Sequence, residues 1–503
     1  MMSNFLKQRS YVVRSAFTPK TRMMGVTGSV RSQGLRSARP SLLRPFSVLT
    51  DPKANDTSLP MFMVGTPNGF LPRQDPLAEL PQEFNRLESL LQRMPIQLLD
   101  GQPGLLASGQ FGEAVRDELP LYDVDHIHDQ RLLSALFRDY SFAASAYLLE
   151  PCDVLFRHNG EYGLGRKVLP MNIAVPLAKV AEKIHSKPFM EYALSYALYN
   201  YKRINPLGDL TYDNLALVRS FAGSESEKGF VLNHVTMVSH SPKLVKYTVG
   251  AMEAVEANDR ARFDQQMAGL NETYETINRE MEMMWSRSLP EDYIHFRTFI
   301  MGTKNQPMFP DGVVYEGVSD EPVVHRGESG ANDSMVPLGD NLLQITERMP
   351  ENPLTKVLRD FRSYRPTNHR EFLEHVQERA NQINLKQFAL KDDNSAALYL
   401  ANVDQIRAFR HRHWNFTKEY IIKYTDHPVA TGGSPIVTWL PNQLSAVLDL
   451  LNDVSSGINN QNLTEGNKIR VEEIQKRAVA QKRFLDREVA NLRDRFKNQD
   501  KTE

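Results

Sequence analysis

The chain has 503 residues, a single cysteine and a formal net charge of −1, and its composition is 41% hydrophobic and 24% charged. A chain of this length and composition buries a large core and is long enough for two or more domains. The lone cysteine, Cys152, excludes an internal disulfide. No apolar run is long enough to cross a bilayer, so we predict no membrane span.

Residues 1–50 differ in charge from the rest of the chain. They contain nine Lys or Arg and no Asp or Glu, interleaved with Ser and short apolar groups. This composition is typical of an amphipathic, acid-poor organelle transit peptide, and we expect import into the mitochondrial matrix. A disordered basic tail on a cytoplasmic protein is the alternative. Without these nine cations the remainder carries a formal charge of −10, which argues against nucleic-acid binding.

Residues 76–205 and 230–288 repeat apolar side chains with a helical period, and almost no segment alternates as a strand does. We therefore predict an all-α fold. Pro206 and the glycine-flanked segment 223–229 interrupt the helical pattern. These interruptions predict a small N-terminal helical domain over 60–220 and a large helical domain over 221–460.

The second half of the chain contains a long aperiodic segment, 305–340, rich in Gly, Pro, Asp and Ser. Such a loop inside a compact domain is usually functional or disordered. Helices are predicted to follow at 341–349, 354–362, 369–390, 394–424 and 438–452. Residues 466–503 read as one highly charged helix. A thin apolar seam runs along this helix and comprises Val471, Ile474, Ala478, Leu485 and Leu492. The seam predicts a weak docking or coiled-coil surface. The alternative is a solvated helix with no special role.

One helix face carries a histidine among aromatic residues. Ile406, Phe409, Phe416 and Tyr420 are spaced by three, four or seven residues, and His413 occupies the position between the two phenylalanines. His411 lies about 200° round the same helix, so the two imidazoles do not share a face. From this pattern alone His413 is either a hydrogen-bonded core histidine or a ligand to something buried.

Four further segments bear polar or glycine-rich motifs. They are TGGS at 431–434, RGESGANDS at 326–334, Arg297 within DYIHFRTFIMG, and KGFVLNH at 228–234. In this order and spacing, together with the His413 helix, they resemble the indoleamine 2,3-dioxygenase family of haem enzymes. The resemblance covers most of 60–455 and includes RKVLPMNIAVPLAKVAEKI (166–184), LTYDNLALVRSF (210–221), DGVVYEG (311–317) and YRPTNHREFLEHV (364–376).

The resemblance implies a two-domain helical fold that holds haem b between the domains. It places His413 as the iron ligand, a role that needs a neutral imidazole held in one tautomer. Arg410 takes the position that pairs with a haem propionate. The loop at Ser329 and Gly330, together with Thr431 and Gly432, is expected to close over the propionates and the amino-acid end of the substrate.

The resemblance also implies a substrate and a reaction. Arg297 takes the position of the arginine that receives the substrate carboxylate, Phe230 stacks against the indole, and Tyr293 retains a pocket aromatic. The family reaction inserts both atoms of O2 across the C2–C3 bond of the indole of L-tryptophan. It gives N-formylkynurenine and opens the kynurenine pathway to NAD biosynthesis. The haem requires an external reductant.

Three positions depart from the family pattern. His234 stands where a serine is common, and it either accepts a hydrogen bond from the indole N–H, stabilises bound O2, or fills space. Asp292 falls at a position where the family has an aromatic residue in the pocket. Ala193 also falls at a position where an aromatic residue often lies, and Tyr192 or Tyr196 could supply that ring through a small shift in register. These changes leave open an enzyme acting on a different indole, or a haem O2-binding protein with little activity. Arg297 argues against the carrier, which needs no carboxylate receptor.

Overall fold

The computed structural model describes residues 46–345, 360–424, 430, 432 and 436–499. Most of these residues are helical, so the all-α prediction is confirmed. In the first part of the chain the helices are α1 (Asn85–Gln92), α2 (Leu105–Ser108), α3 (Phe111–Glu118), α4 (Gln130–Asn159) and α5 (Met171–Lys183). A π-helical turn, Tyr192–Tyr196, follows them.

The helices of the second part of the chain include those that carry Phe230, Arg297 and His413. They are α6 (Glu225–Val238), α7 (Ser241–Glu256), α8 (Arg260–Glu282), α9 (Met284–Arg287), α10 (Pro290–Ile300), α11 (Met335–Leu342), α12 (Thr367–Gln382), α13 (Leu385–Leu390), α14 (Asp393–Tyr420), α15 (Ile436–Gly457) and α16 (Glu465–Gln499). The long helix α14 begins at a side-chain cap, because the Asp392 carboxylate accepts the backbone N–H groups of Asn394 and Ser395.

The strands in the described part of the chain are short. β1 (Val168–Leu169) pairs in parallel with β4 (Val314–Tyr315), and β2 (Tyr201–Arg203) pairs antiparallel with β3 (Leu215–Leu217). Each ladder has only two or three residues per strand, so the sheets join loops rather than form a layer. The hydrophobic core is formed by helices.

Some predicted helix limits are wrong. The helix predicted at 341–349 starts earlier, at Met335, where the Asp333 carboxylate accepts the backbone N–H groups of Met335 and Val336. The helix predicted over 369–390 is two helices, because Asn384 adopts a left-handed conformation with φ of 53° between α12 and α13. The part of 354–362 before residue 360 lies outside the described residues.

The glycine-flanked segment 223–229 is a helix start instead of an extended break. The Ser224 hydroxyl accepts the N–H of Glu227, and the Glu227 carboxylate reaches back to the N–H groups of residues 221–223. Gly229 lies inside α6, where an added Cβ would lie 1.7 Å from the Arg287 carbonyl oxygen. Glycine here therefore lets α6 pack backbone to backbone against the end of α9.

Residues 46–503 form one compact unit, and the proposed boundary between 60–220 and 221–460 stays a prediction. Within the described ranges, no helix combines the length and apolarity needed to span a membrane. The cluster of helices around α14 includes α8, α10, α15 and α16.

The C-terminal helix α16 packs on its own chain along the predicted apolar seam. Val471, Ile474, Ala478 and Leu485 are buried against α14 and α15. On the same side, the Glu488 carboxylate accepts the Trp414 indole N–H at 2.6 Å and pairs with Lys418 at 2.5 Å. The docking interpretation is therefore confirmed, and the surface that α16 covers belongs to α14 and α15.

Substitutions at two neighbouring residues of α16 test whether this helix packs on α14 and α15. Leu485 is 4% exposed and Phe484 is 70% exposed. We expect Leu485→Ala to lower the free energy of unfolding by about 2–5 kcal/mol, because it leaves a cavity under the helix. Phe484→Ala should change it by less than about 0.5 kcal/mol. Urea denaturation of both variants makes the comparison, and equal effects would contradict the packing described for α16.

Candidate active site

A large cavity lies where α6, α10, α14 and the loop 326–334 meet. The space between its walls is about 1140 Å³ when the open solvent at its mouth is counted. Most of its wall is aromatic or apolar. The described side chains that line it include two histidines, two carboxyl groups and three tyrosines.

The helix α14 forms one wall of the cavity. Phe409, His413, Phe416 and Tyr420 all line it, as the spacing of the sequence predicts for one helix face. The Tyr420 hydroxyl donates to the Ser288 carbonyl, which fixes the end of this face against the start of α10. The prediction that His413 shares the aromatic face is confirmed.

His413 presents a neutral imidazole to the cavity. Burial, with lesser contributions from His234 and Arg410, lowers the pKa of His413 to about 4. None of the described residues makes a hydrogen bond to its ring. A core histidine ordinarily satisfies its ring nitrogens with protein partners. The geometry therefore favours the ligand interpretation over the core interpretation.

His411, two residues earlier, points to a different place. It lines a separate groove between α14 and α16, together with Trp414 and Phe484. The two imidazoles thus lie on different faces of one helix, as the sequence predicts.

The helix α6 forms the wall that carries the second histidine. The Phe230 and His234 rings, one turn apart, are 5.0 Å between centroids and both line the cavity. The His234 Nδ1 lies 2.8 Å from the Phe230 carbonyl oxygen. Because a carbonyl only accepts, Nδ1 carries the proton and Nε2 keeps its lone pair. Burial lowers the pKa of His234, so the ring is neutral and Nε2 is an acceptor.

Aromatic rings connect the two walls. Tyr293 of α10 lies 5.3 Å from Phe230 and 5.6 Å from Tyr420, measured between ring centroids. Tyr192, from the π-helical turn, packs edge-on against His234 at 5.6 Å. These rings make the wall between α6, α10 and α14 aromatic.

The unusual positions Asp292 and Ala193 do not line the cavity. The Asp292 carboxylate accepts the Ser226 hydroxyl at 2.5 Å, next to the start of α6. Ala193 is buried in the core, and its neighbour Tyr192 supplies a ring to the cavity instead. Asp292 therefore does not add a polar group to the cavity, and Tyr192 provides an aromatic ring beside the position of Ala193.

The loop 326–334 closes another side of the cavity and places Glu328, Ser329, Gly330 and Asp333 along it. Its position is fixed by backbone contact: an added Cβ at Gly327 would lie 2.2 Å from the Gly302 backbone nitrogen. The Glu328 N–H also donates to the Ile300 carbonyl at 3.1 Å. The loop is thereby held against the end of α10.

The two loop carboxyl groups are buried beside the cavity. Burial raises the pKa of Glu328 to about 8 and that of Asp333 to about 6. The rise at Asp333 is limited because its carboxylate accepts the N–H groups of Met335 and Val336. The remaining Asp333 oxygen, Oδ2, has no hydrogen-bond partner among the described residues.

The buried Arg410 stands one turn before His413 but does not line the cavity itself. One nitrogen, Nη2, pairs with Asp340 at 2.6 Å. Its other two guanidinium nitrogens, Nε and Nη1, are buried without a partner among the described residues. Buried N–H donors normally have acceptors, so the Nε and Nη1 groups of Arg410 could bind an acidic group of a ligand.

Arg297 lies on α10, one turn beyond Tyr293, and is 2% exposed. It is not among the side chains that line the cavity as described. Burial raises the pKa values of the Tyr162 and Tyr293 hydroxyls, and the Arg297 guanidinium offsets part of both rises. The guanidinium is therefore close to the aromatic wall but separate from the cavity surface.

The segment predicted to cover the cavity is described only in part. Thr431 lies outside the described residues. The Gly432 carbonyl accepts Arg326 Nη1 at 2.8 Å, and an added Cβ at Gly432 would lie 3.4 Å from the Ser329 Cβ. Ala430 lines the cavity. Gly432 therefore packs against the loop 326–334, as the resemblance implies.

Sequence reasoning assigned no role to Glu328, Asp333 or Asp340. Glu328 and Asp333 lie in an aperiodic glycine-rich segment, where no periodicity indicates which side chains point inward. The available signal was that the segment combines acids with glycines. Asp340 sits on α11, seventy residues from its partner Arg410.

An aromatic cavity with a neutral imidazole on its wall can hold a prosthetic group that the imidazole ligates. The family model described as Indoleamine 2,3-dioxygenase matches residues 58–444. The chain belongs to the indoleamine 2,3-dioxygenase family, whose members are haem-dependent dioxygenases.

Similar proteins come from animals and fungi. Indoleamine 2,3-dioxygenase 1 of Rattus norvegicus is 26% identical over 69% of this chain and 81% of its own length. Indoleamine 2,3-dioxygenase 2 of Homo sapiens is 26% identical, with coverages of 73% and 84%. Indoleamine 2,3-dioxygenase of Saccharomyces cerevisiae is 24% identical, with coverages of 72% and 80%. The helix α16 lies beyond the matched family region.

Proposed function

We propose that this protein is a haem-dependent dioxygenase that inserts both atoms of O2 across the indole C2–C3 bond of L-tryptophan to give N-formylkynurenine. The observation that carries the proposal is the pairing of two neutral imidazoles, His413 and His234, on different walls of one aromatic cavity. Family membership supports the reaction class.

The residues present fit a haem b group. The cavity wall is mostly aromatic or apolar, and the His413 imidazole is neutral with no described partner on its ring, as an iron ligand requires. Arg410, one turn away, has two buried nitrogens without described partners, which suits a propionate. We propose His413 as the ligand and Arg410, with the loop at Ser329, Gly330, Thr431 and Gly432, as the support for the propionates.

A bound haem would supply the binding and activation of O2. The chain's own contribution is to orient the indole and exclude water. Phe230 and Tyr293 provide faces against which an indole packs, and such contacts prefer offset or edge-on geometry. Holding the ring in one orientation beside the reactive centre lowers the entropic part of the barrier.

The His234 tautomer selects between the two roles considered from sequence. With its proton on Nδ1, directed to the Phe230 carbonyl, Nε2 can accept a hydrogen bond but cannot donate one. We propose that Nε2 accepts the indole N–H and fixes the ring in its plane. Stabilisation of O2 by donation from Nε2 would require a different tautomer.

Substrates with and without an indole N–H test this role. We expect His234→Leu to lower kcat/KM for L-tryptophan by about 10-fold, the usual size of one lost hydrogen bond. For 1-methyl-L-tryptophan, which has no N–H to donate, the same substitution should have little effect. An equal loss for both substrates would show that His234 only fills space.

The proposed activity is tested directly by turnover. The haem-loaded full chain, with an external reductant, is incubated with L-tryptophan and a panel of other indoles, and the product mass is recorded. We expect L-tryptophan to yield N-formylkynurenine. Turnover of another indole alone would reassign the substrate. Stable O2 binding without any product would support a haem O2-binding protein instead.

The basic, acid-poor composition of residues 1–50 supports a proposal of mitochondrial import. Microscopy of the full chain and of a chain lacking 1–50, each fused to a fluorescent protein, tests it. Cytoplasmic signal from both fusions would contradict the proposal.

A further inference from the structure

The helix α14 has two faces with different neighbours. One face carries His413 and lines the cavity. Positions two residues away lie about 200° round a helix, so they form a second face on the opposite side. The side chains of this second face meet α16 or line the groove beside it, and they are Asp404, Arg407, His411, Trp414 and Lys418. A movement of α14 on α16 would therefore also move the cavity face.

Polar contacts hold α16 against the first half of this second face. Arg477 Nη1 donates to the Asp404 carboxylate at 2.7 Å, and Arg407 Nη1 donates to Gln481 Oε1 at 2.7 Å. Asp404 and Arg407 are both buried. These contacts fix the position of α16 along α14.

The contact nearest to the proposed iron ligand is made by Glu488. Trp414 directly follows His413, is 1% exposed, and donates its indole N–H to one Glu488 oxygen at 2.6 Å. The other Glu488 oxygen accepts Lys418 Nζ, one turn later on α14. A carboxylate that binds two side chains one turn apart restrains both the rotation of α14 about its axis and its shift along α16. Because Trp414 adjoins His413, the same restraint acts on the imidazole.

The His413 ring has no described restraint of its own. A histidine that ligates a metal ordinarily donates its second ring N–H to a carboxylate or carbonyl group, which fixes the orientation of the ring. None of the described residues makes such a hydrogen bond to His413. Within the described part of the chain, the orientation of the imidazole is therefore set by the placement of α14.

We propose that Glu488 is a positioning residue for the haem ligand, and that it holds Trp414 and Lys418 so that the His413 imidazole is directed at the iron. This inference rests on the proposed haem site and adds a part of the chain outside the family region. The matched region ends at residue 444, whereas α16 begins at Glu465.

Four variants separate positioning from stability. Glu488→Ala removes the acceptor, and Glu488→Gln keeps one oxygen that can accept the Trp414 N–H. Glu473→Ala makes the same change as Glu488→Ala at an exposed position of α16. Leu87→Ala leaves a cavity beneath α1, which packs on α3 and α4, and serves as the control for lost stability alone.

Three measurements are made on each variant. The rate of haem transfer from the haem-loaded full chain to excess apomyoglobin reports how firmly the haem is held. The iron–imidazole stretching band in the Raman spectrum of the reduced protein reports the geometry of the ligand. Urea denaturation of the haem-free chain gives the free energy of unfolding, against which haem loss is compared.

We expect Glu488→Ala to transfer haem about 10-fold faster than wild type, or more, and to shift the iron–imidazole band. Glu488→Gln should lie closer to wild type in both measurements, and Glu473→Ala should match wild type. Leu87→Ala should lower the free energy of unfolding and leave the band unchanged. If Glu488→Ala does not fold, Trp414→Phe, which removes only the indole N–H and keeps a ring, makes the same comparison.

Two results would overturn the inference. One is a wild-type transfer rate with an unshifted band in Glu488→Ala. The other is a rise in haem loss no larger than that of Leu87→Ala at an equal loss of stability. If His413→Ala holds haem as firmly as wild type, the proposed ligand fails instead, whatever the result at Glu488.

Discussion

Replacing His413 with alanine is expected to abolish stable haem binding while the helical fold is retained. The imidazole is neutral, faces the cavity and has no described partner on its ring, so its removal deletes the proposed metal ligand without breaking a described side-chain hydrogen bond. Haem content per chain and the haem absorption spectrum after reconstitution give the result, with circular dichroism to report on the fold.

His411→Ala is the matched control for that experiment. It removes an imidazole from the same helix, two residues away, but from the face that lines the groove under α16. We expect this variant to bind haem as wild type does. A normal haem spectrum from His413→Ala, or equal losses from the two variants, would show that the ligand lies elsewhere.

Replacing Arg297 with alanine is expected to lower kcat/KM for L-tryptophan by about 100-fold or more. Without Arg297 the carboxylate of the bound substrate would be buried and unpaired, which costs roughly 2–5 kcal/mol. Because each 1.4 kcal/mol corresponds to a factor of about ten, this cost corresponds to a loss of about 100-fold or more. The role requires the substrate carboxylate to approach the guanidinium past Tyr293, because Arg297 is buried behind the surface of the cavity.

Tryptamine, which lacks the carboxylate, separates this role from a structural one. Arg297 also lies beside the buried Tyr162 hydroxyl, so its loss could disturb the fold for every substrate. We expect the penalty for tryptamine to be at least 10-fold smaller than that for L-tryptophan. Equal penalties for the two substrates would remove Arg297 from the substrate site and leave it as a packing residue.

The features that could be predicted from the sequence are those set by the local geometry of a helix. The face shared by Phe409, His413, Phe416 and Tyr420 follows from the helical period alone, because residues three and four apart always meet on one side of a helix. The same rule placed Phe230 beside His234 and put His411 on a different face. These predictions needed no knowledge of the neighbours.

What the sequence did not predict depends on contacts between distant parts of the chain. The loop 326–334 is positioned by the approach of Gly327 to Gly302, and the side chain of Asp292 by a hydroxyl on α6. The seam of α16 was visible, but nothing local indicated that it would cover α14 and α15. The start of α6 was placed too late because glycines at both ends of 223–229 concealed a capping box.

The central claim is that an indole held in the cavity between His234 and a haem on His413 reacts with both atoms of O2. Turnover of L-tryptophan by the haem-loaded full chain under isotopically labelled O2, followed by mass spectrometry of the product, tests this most directly. We predict N-formylkynurenine with two labelled oxygen atoms. A product with one labelled atom, or haem-loaded protein that binds O2 and leaves L-tryptophan unchanged, would contradict the claim.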